Sequence, residues 1–377
     1  MLTGEELENF RGNLKDWFRH FQRDLPWRRG KDAYRIWISE IMLQQTRVAA
    51  VIPYYERFLA RFPNVRALAE APPEDVLRLW SGLGYYSRAR NLQKAAQQIM
   101  ALHGGEFPRD EKAALALPGI GQYTAAAILS IAFGAEHAVL DGNVARVVAR
   151  LGAIRGDLRE TKRWQSLQEI AGELLDPKSP GDWNQAMMEL GAMVCTPRAP
   201  KCLLCPVAQF CSARALGDPE AFPEKRKKRA PVQVVLAAVV LCGPRRRTLL
   251  LPPPRKKQDK PADDDIATLV SHLWHFPTVA IRKNPLRELR AFLSGLLKAS
   301  DGALRMEPLT SVRHAVTYRY VTVLPFRVAV RKMPRIRGAR SIAIEKFAAL
   351  PVSNLTRKIA RAALQESAAE SAKNLKL

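Results

Sequence analysis

The chain has 377 residues, too many for one typical hydrophobic core, so we expect at least two domains. Its formal net charge of +24 favours a polyanionic partner, the alternative being a cationic surface that serves only solubility. Residues 1–210 hold 27 Lys+Arg against 23 Asp+Glu, or +4, so +20 belongs to the remainder.

No apolar run in the sequence is long enough to span a bilayer. The N-terminus is acidic and amphipathic, which is not the pattern of a signal peptide. We therefore expect a cytoplasmic monomer without membrane contact.

The first predicted helix covers residues 5–22, where apolar side chains recur at helical spacing, and Pro26 ends it. The following turn carries Trp27 and Arg28. This pair is typical either of a base-stacking and phosphate-binding surface or of a core contact.

The next helix places Glu40 among Ile, Trp, Met and Leu at helical spacing over residues 35–47. Burial among apolar groups favours the neutral carboxylic acid, which a proton donor requires at neutral pH. The alternative is an exposed helix charge.

Residues 81–86, here called the wedge loop, contain Gly82 and Gly84, which allow a tight turn close to a nucleic acid. Leu83 and Tyr85 are candidates for insertion into a base stack. The alternative is a connector between helices with buried aromatics.

A Leu-Pro-Gly-Ile-Gly sequence at residues 117–121 predicts a hairpin between two short helices. Gly119, Gly121 and Gln122 would present backbone N–H groups at a helix N-terminus, where an anion is favoured. We expect a DNA phosphodiester there, with a bridging monovalent cation, and the alternative is a purely structural turn.

Asp141 precedes an apolar helix and is predicted to be its N-cap. Backbone N–H groups would hold its carboxylate ionised. A carboxylate fixed in this way can stabilise a cation that forms beside it. Nearby Asn143 is expected to orient water or the base.

Four cysteines are spaced C-x6-C-x2-C-x5-C, and they suit either a [4Fe–4S] cluster or zinc. Zinc sites more often show two close pairs, and here there is one, so the cluster is favoured over zinc and over free thiols. The predicted ligands are Cys195, Cys202, Cys205 and Cys211.

These motifs together resemble the adenine DNA glycosylases of the MutY type, in the helix-hairpin-helix superfamily with a [4Fe–4S] cluster. The resemblance implies that Glu40 protonates the adenine leaving group and that Asp141 stabilises the sugar cation. Lyase relatives carry Lys where this chain has Tyr123, so we expect a monofunctional enzyme in which Tyr123 holds the network.

The same resemblance implies further contacts. It implies that Arg28 lies near the target base, that Gln45 takes part in intercalation together with the wedge loop, and that Gln185 reads adenine.

In the second half, we predict a strand at Val232–Cys242 paired in a hairpin with residues 248–251, then a helix over 284–299 and further strands. This half resembles the family's Nudix-like domain, which recognises 8-oxoguanine, but it lacks the Nudix acidic box. Thr317 and Tyr318 occupy the place of a Phe-Ser-His reader segment, with Tyr318 replacing the His; the alternative is ordinary strand residues.

The predicted fold is an all-α helix-hairpin-helix domain followed by an α+β domain. The predicted boundaries are 1–214 for the glycosylase domain with its cluster loop at 195–211, 215–231 for a basic linker, 232–346 for the Nudix-like domain, and 347–377 for a helix and disordered tail.

The expected function is removal of adenine from A·8-oxoguanine or A·G mispairs in double-stranded DNA, in the nucleoid. Two alternatives stay open: a bifunctional pyrimidine-lesion glycosylase and a non-catalytic iron–sulfur protein that binds damaged DNA.

Overall fold

The computed structural model describes residues 2, 4–158, 160–224, 230–252, 273–297, 305–316 and 318–374.

The chain divides into two units. Unit 1 comprises Met1–Ala71 and Ser87–Lys227, and unit 2 comprises Pro72–Tyr86 and Lys228–Leu377. The wedge loop therefore groups with the second half of the chain, which differs from the contiguous division that the sequence predicts. Residues 225–229 of the predicted linker, and Thr317, lie outside the described residues.

Unit 1 is built from helices, as expected. They are α1 Gly4–Phe21, α2 Ala33–Leu43, α3 Val48–Arg61, α4 Val65–Ala69, α6 Ser87–Leu102, α7 Glu111–Leu115, α8 Gln122–Phe133, α9 Gly142–Leu151, α10 Thr161–Leu174, α11 Pro180–Met193 and α12 Ser212–Ala215; α5, Pro73–Trp80, belongs to unit 2.

Capping residues define where these helices begin and end. Asp32 accepts a hydrogen bond from the Arg35 amide at the start of α2, and Asp110 does the same for Ala113 in α7. At the other end of α8, Gly134 adopts the left-handed conformation (φ 71°) that closes many helices.

Unit 2 combines strands with helices. The strands are β1 Val232–Cys242, β2 Arg247–Leu250, β3 Thr278–Ala280, β4 Glu307–Pro308, β5 Val312–Val316, β6 Arg319–Ala329 and β7 Arg340–Ala343, and the helices are α13 Pro285–Leu297 and α14 Asn354–Asn374. One sheet has the order β3-β1-β6-β4, with β5 also paired to β6. The α+β class of this half is confirmed.

The predicted hairpin of β1 with β2 is wrong. β1 pairs in parallel with β6 along its whole length, and Leu236–Ala238 pair antiparallel with β3; just after β1, Gly243 forms an isolated antiparallel bridge with Arg247. β2 instead pairs antiparallel with β7 in a separate two-stranded sheet.

Helices cover both faces of the larger sheet. Leu289 and Leu293 of α13 pack on one face, and Leu355 and Ile359 of α14 pack on the other. α14 continues to Asn374, beyond the point where the sequence predicts a disordered tail, because its last turns are rich in the helix formers Ala, Glu and Gln.

None of the helices in the described residues is both long enough and apolar enough to cross a membrane.

Candidate active site and iron–sulfur loop

Glu40 lies in α2, a helix whose neighbouring residues from Ile36 to Met42 are all buried. The Glu40 side chain is itself only 6% exposed. Burial raises the pKa of Glu40 to about 7; a hydrogen bond from Tyr123 opposes the rise, Asp141 adds to it, and Arg28 lowers it. A carboxyl group with this pKa is substantially protonated at neutral pH, as the sequence predicts for a proton donor.

Tyr123 stands in the first turn of α8, directly after the hairpin. Its hydroxyl donates a hydrogen bond of 2.7 Å to Glu40 Oε2 and lies 3.3 Å from Met188 Sδ. Burial raises the pKa of Tyr123, and nearby Glu40 and Asp141 raise it further, so the hydroxyl keeps its proton. A neutral phenol cannot form an imine, which is the chemistry that a Lys at this position would supply.

Asp141 caps α9 as predicted. Its Oδ1 accepts hydrogen bonds from the amides of Asn143 (2.9 Å) and Val144 (2.8 Å), and Asn143 Nδ2 donates to its Oδ2 at 3.1 Å. Burial raises the pKa of Asp141 nonetheless, against these bonds and the charge of Arg146. The capping bonds thus favour the anion while the surroundings disfavour it. In this structure, Asn143 orients Asp141.

The two carboxyl groups open into one cavity of about 440 Å³, a size typical of small-molecule sites. Seven of the residues singled out in the sequence line it: Arg28, Glu40, Gln45, Tyr123, Asp141, Asn143 and Gln185. Its wall is mainly apolar, including Trp27 and Ile36, so polar groups inside it act in a medium poorer in water than the surface.

The hairpin between α7 and α8 has the predicted geometry. Gly119 has φ 82°, and a Cβ there would lie 2.9 Å from Asn91 Cβ, so only glycine fits. Gly121 is the N-cap of α8, and it and Gln122 are exposed, which leaves the first amides of α8 open to an anion. Buried Ile120 anchors the turn.

The four cysteines of residues 195–211 lie near one another in unit 1. Burial raises the pKa of the Cys205 thiol to about 11; the Val207 amide lowers it, and the other three cysteines raise it. In the described residues, no group of three or more His, Cys, Asp or Glu side chains meets the geometry for a single metal ion. Clustered thiols with backbone N–H donors suit an iron–sulfur cluster, whose iron ions would bind and deprotonate them.

Comparison with known proteins agrees with this geometry. Residues 38–173 match the HhH-GPD superfamily of base excision DNA repair proteins, and residues 195–211 match the iron–sulfur binding domain of endonuclease III. Mouse adenine DNA glycosylase is 36% identical over 408 residues, an alignment that covers 94% of this chain and 78% of the mouse protein. The chain belongs to the adenine DNA glycosylase family.

The human adenine DNA glycosylase is 50% identical over 218 residues, which cover 55% of this chain and 40% of the human protein. Among solved structures, a thermostable thymine-DNA glycosylase superposes with a TM-score of 0.51 at 31% identity, covering 56% of this chain and 97% of that one. The match to the endonuclease III domain supports a [4Fe–4S] cluster in residues 195–211 of this glycosylase.

Sequence reasoning missed the ion-pair network that positions Arg28 in this member of the family. Glu189 accepts hydrogen bonds from Arg23 Nε (2.7 Å) and from Arg28 Nη2 (2.8 Å). Burial alone would raise the pKa of Glu189, but the two guanidinium groups outweigh it and lower the pKa to about 2. The signal in the sequence that could have pointed to this network was a lone Glu within an apolar helix.

Two arginines on α9 were also missed. Arg146 donates to Asn143 Oδ1 (3.0 Å) and to the Cys195 carbonyl (2.9 Å), so it links the Asp141 cap to the cluster loop. Arg150 donates to the Thr196 carbonyl at 2.7 Å. The sequence signal for these contacts was a pair of arginines four residues apart in an otherwise apolar helix. In the structure both arginines are buried.

Gln45 lies in the turn after α2 with φ 57°, a strained conformation for a residue with a side chain. Arg88 supports this turn, because its Nη1 donates to the carbonyls of Ile41, Met42 and Gln44 at 2.6–3.0 Å. Gln45 is therefore held exposed at the rim of the cavity, as a DNA contact requires.

In unit 2, the wedge loop presents its two candidate residues differently. Leu83 is buried at 8% exposure, whereas Tyr85 is 45% exposed, so the two predicted candidates differ in their access to solvent. Tyr318 lies at the turn between β5 and β6, with the Arg319 guanidinium 5.0 Å from the centre of its ring. Tyr318 thus lies at the tip of the β5–β6 hairpin.

Proposed function

We propose that the chain is a monofunctional glycosylase that hydrolyses the N-glycosidic bond of adenine opposite 8-oxoguanine or guanine in double-stranded DNA. The observation that carries the proposal is the cavity shared by Glu40 and Asp141, with Tyr123 at the position of the lyase Lys. The family membership supports adenine as the base.

Glu40 acts as the general acid. Its carboxyl group donates a proton to a ring nitrogen of the extruded adenine, most simply N7, and the C1′–N9 bond breaks with its electron pair leaving on the base. The deoxyribose is left as an oxocarbenium-like cation. The ionised Glu40 then takes a proton from the attacking water, which restores the acid and completes the hydrolysis.

Asp141 is the anion beneath the sugar. Two backbone amides and Asn143 hold its carboxylate in one orientation, so no reorganisation is needed when the cation forms. Because Asp141 also raises the pKa of Glu40, the ionised Asp141 favours a protonated Glu40. The ionised state of Asp141 and the protonated state of Glu40 therefore stabilise each other.

DNA is held by several separate surfaces. The amides at exposed Gly121 and Gln122 bind a phosphodiester in this proposal, with a monovalent cation bridging the hairpin. The [4Fe–4S] cluster, held by its four cysteines, would brace a loop bearing Arg198 and Lys201 toward phosphates. In unit 2, Thr317 and Tyr318 are proposed to read 8-oxoguanine, and Gln185 to read adenine.

The proposal is tested by a gel-based excision assay on duplexes with A opposite 8-oxoguanine, G or C, with borohydride present in a parallel reaction. We expect adenine release opposite 8-oxoguanine and G, little opposite C, and no efficient covalent trapping. Efficient trapping would favour the bifunctional alternative. Mispair binding without adenine release, unchanged in Glu40→Gln, would favour the non-catalytic one.

A further inference from the structure

The first turns of α14 contact the wedge loop within unit 2. Arg357 Nη2 donates to Ser81 Oγ at 2.8 Å, and Asn354 Nδ2 donates to the Gly82 carbonyl at 3.2 Å. The Ser81 hydroxyl in turn donates to the Val352 carbonyl at 2.8 Å, and the Tyr86 hydroxyl lies 3.3 Å from the same oxygen. Both ends of the wedge loop are thus hydrogen-bonded to the segment that begins α14.

These contacts hold a strained backbone. Gly82, Gly84 and Tyr85 all have positive φ, at 120°, 75° and 48°. For Tyr85 this conformation is strained, and it persists only where the surroundings enforce it. The hydrogen bonds from Asn354 and Arg357 are part of that enforcement, because they fix the two residues at which the turn starts.

The same turn of α14 also reaches the strand that leads to the reader hairpin. Lys358 Nζ donates to the Arg313 carbonyl in β5 at 2.8 Å. Leu355 and Ile359 share the buried core with Val312 of β5. Adjacent residues of one docked helix therefore hold the wedge loop on one side and the approach to Tyr318 on the other.

We propose that the start of α14 couples recognition of the opposite base to the wedge, with Arg357 as the positioning residue of the wedge loop. This inference rests on the proposed function, in which Tyr85 enters the base stack and the β5–β6 hairpin reads 8-oxoguanine. The helix fixes the distance between the wedge loop and the β5–β6 hairpin. A base bound at the hairpin therefore determines where Tyr85 enters the base stack.

The test compares three variants on one helix. Arg357→Ala removes the donor to Ser81, Arg357→Lys keeps a cationic donor, and Arg361→Ala removes an equal charge from an exposed position one turn on. At saturating enzyme, we expect single-turnover excision opposite 8-oxoguanine to fall about tenfold in Arg357→Ala, to recover to within about threefold in Arg357→Lys, and to stay within about twofold in Arg361→Ala.

A fluorescence measurement reports the wedge directly. With 2-aminopurine beside 8-oxoguanine, Glu40→Gln protein that inserts Tyr85 should raise the emission by unstacking the probe, and adding Arg357→Ala should remove most of that rise. Equal behaviour of Arg357→Ala and Arg361→Ala in both measurements would overturn the proposal. A loss of duplex affinity alone, with normal excision at saturation, would overturn it too.

Ser81→Ala keeps the test decisive if Arg357→Ala does not fold. It removes the same hydrogen bond from the other side, together with the bond from Ser81 to the Val352 carbonyl, so it should slow excision at least as much as loss of the Arg357 donor. Where both single variants fold, the double variant should be no slower than Ser81→Ala alone. Failure of the proposed function is distinct, because then the unaltered protein itself would release no adenine.

Discussion

The cavity of unit 1 and the reader hairpin of unit 2 are both proposed to contact a base, yet they are built differently. In the cavity, Glu40 and Tyr123 lie on largely buried helices, Asp141 caps a third, and each side chain has hydrogen-bond partners. At the hairpin, Tyr318 lies in a turn and is half-buried, with the Arg319 guanidinium 5.0 Å from the centre of its ring.

The difference follows from what each region does. Proton transfer needs shifted pKa values and fixed distances, which burial on rigid elements supplies. Reading the opposite base needs an accessible surface that can fit into a groove, and this is the usual role of turns. Substitutions in the cavity should therefore change the rate of chemistry far more than substitutions at the hairpin change discrimination.

The largest effect is expected for the two carboxyl groups. Glu40→Gln and Asp141→Asn should each lower single-turnover excision by at least about 10³-fold, because one removes the acid and the other the anion. Electrophoretic shift of an A·8-oxoguanine duplex should show affinity within a few-fold of the unaltered protein. Near-normal excision by either variant would contradict the assignment.

Glu189→Gln should lower excision by about 10- to 100-fold, because Arg28 loses its charged partner and its fixed position in the cavity. Thermal melting and the visible absorption of the cluster check that the variant folds. Asp182→Asn is the matched control, an exposed acid on the same helix that does not line this cavity. If both variants behave alike, Arg28 does not depend on Glu189.

The pH dependence should report Glu40. Since its pKa is about 7 and the protonated form is active, the single-turnover rate should fall as pH rises through 7. Well above pH 7 the decrease should approach about tenfold per pH unit. Tyr123→Phe removes a hydrogen bond that favours the ionised form, so the alkaline limb should move to higher pH and the rate at pH 8, relative to its own plateau, should rise several-fold.

Tyr34→Phe serves as the control for this profile. It also removes a buried hydroxyl from α2, but that hydroxyl donates to the Phe62 carbonyl and does not contact Glu40. Its alkaline limb should stay in place. A limb that moves downward in Tyr123→Phe would refute the role given to the hydroxyl.

The smallest effect is expected at the hairpin. Tyr318→Ala should reduce the preference for 8-oxoguanine over G by about fivefold, with the rate opposite G nearly unchanged, because one aromatic contact is worth on the order of 1 kcal/mol. Tyr320→Ala, at an exposed aromatic in β6, is the matched control. Parallel rate assays on both duplexes measure the ratio, and equal losses in both variants would count against Tyr318 as a reader.

Much of the catalytic unit could be predicted because its signals are local. The hairpin glycines, the Asp141 cap and the cysteine spacing each describe a conformation within a few residues, and the structure has all three. The burial of Glu40 followed from helical periodicity. Strand pairing could not be read in this way, since the local pattern of β2 says nothing of whether the edges of β1 are free.

By itself, the sequence determined the helical elements of unit 1, the candidate acid and anion, and the set of cysteines, since periodicity, capping and spacing act over one or two turns of chain. Only the tertiary structure decided which distant residues support them. Arg23 donates a hydrogen bond to Glu189, 166 residues away in the sequence, and Arg357 donates one to Ser81, 276 residues away. Such contacts arise from the packing of whole elements, and no pattern within one segment encodes its partner.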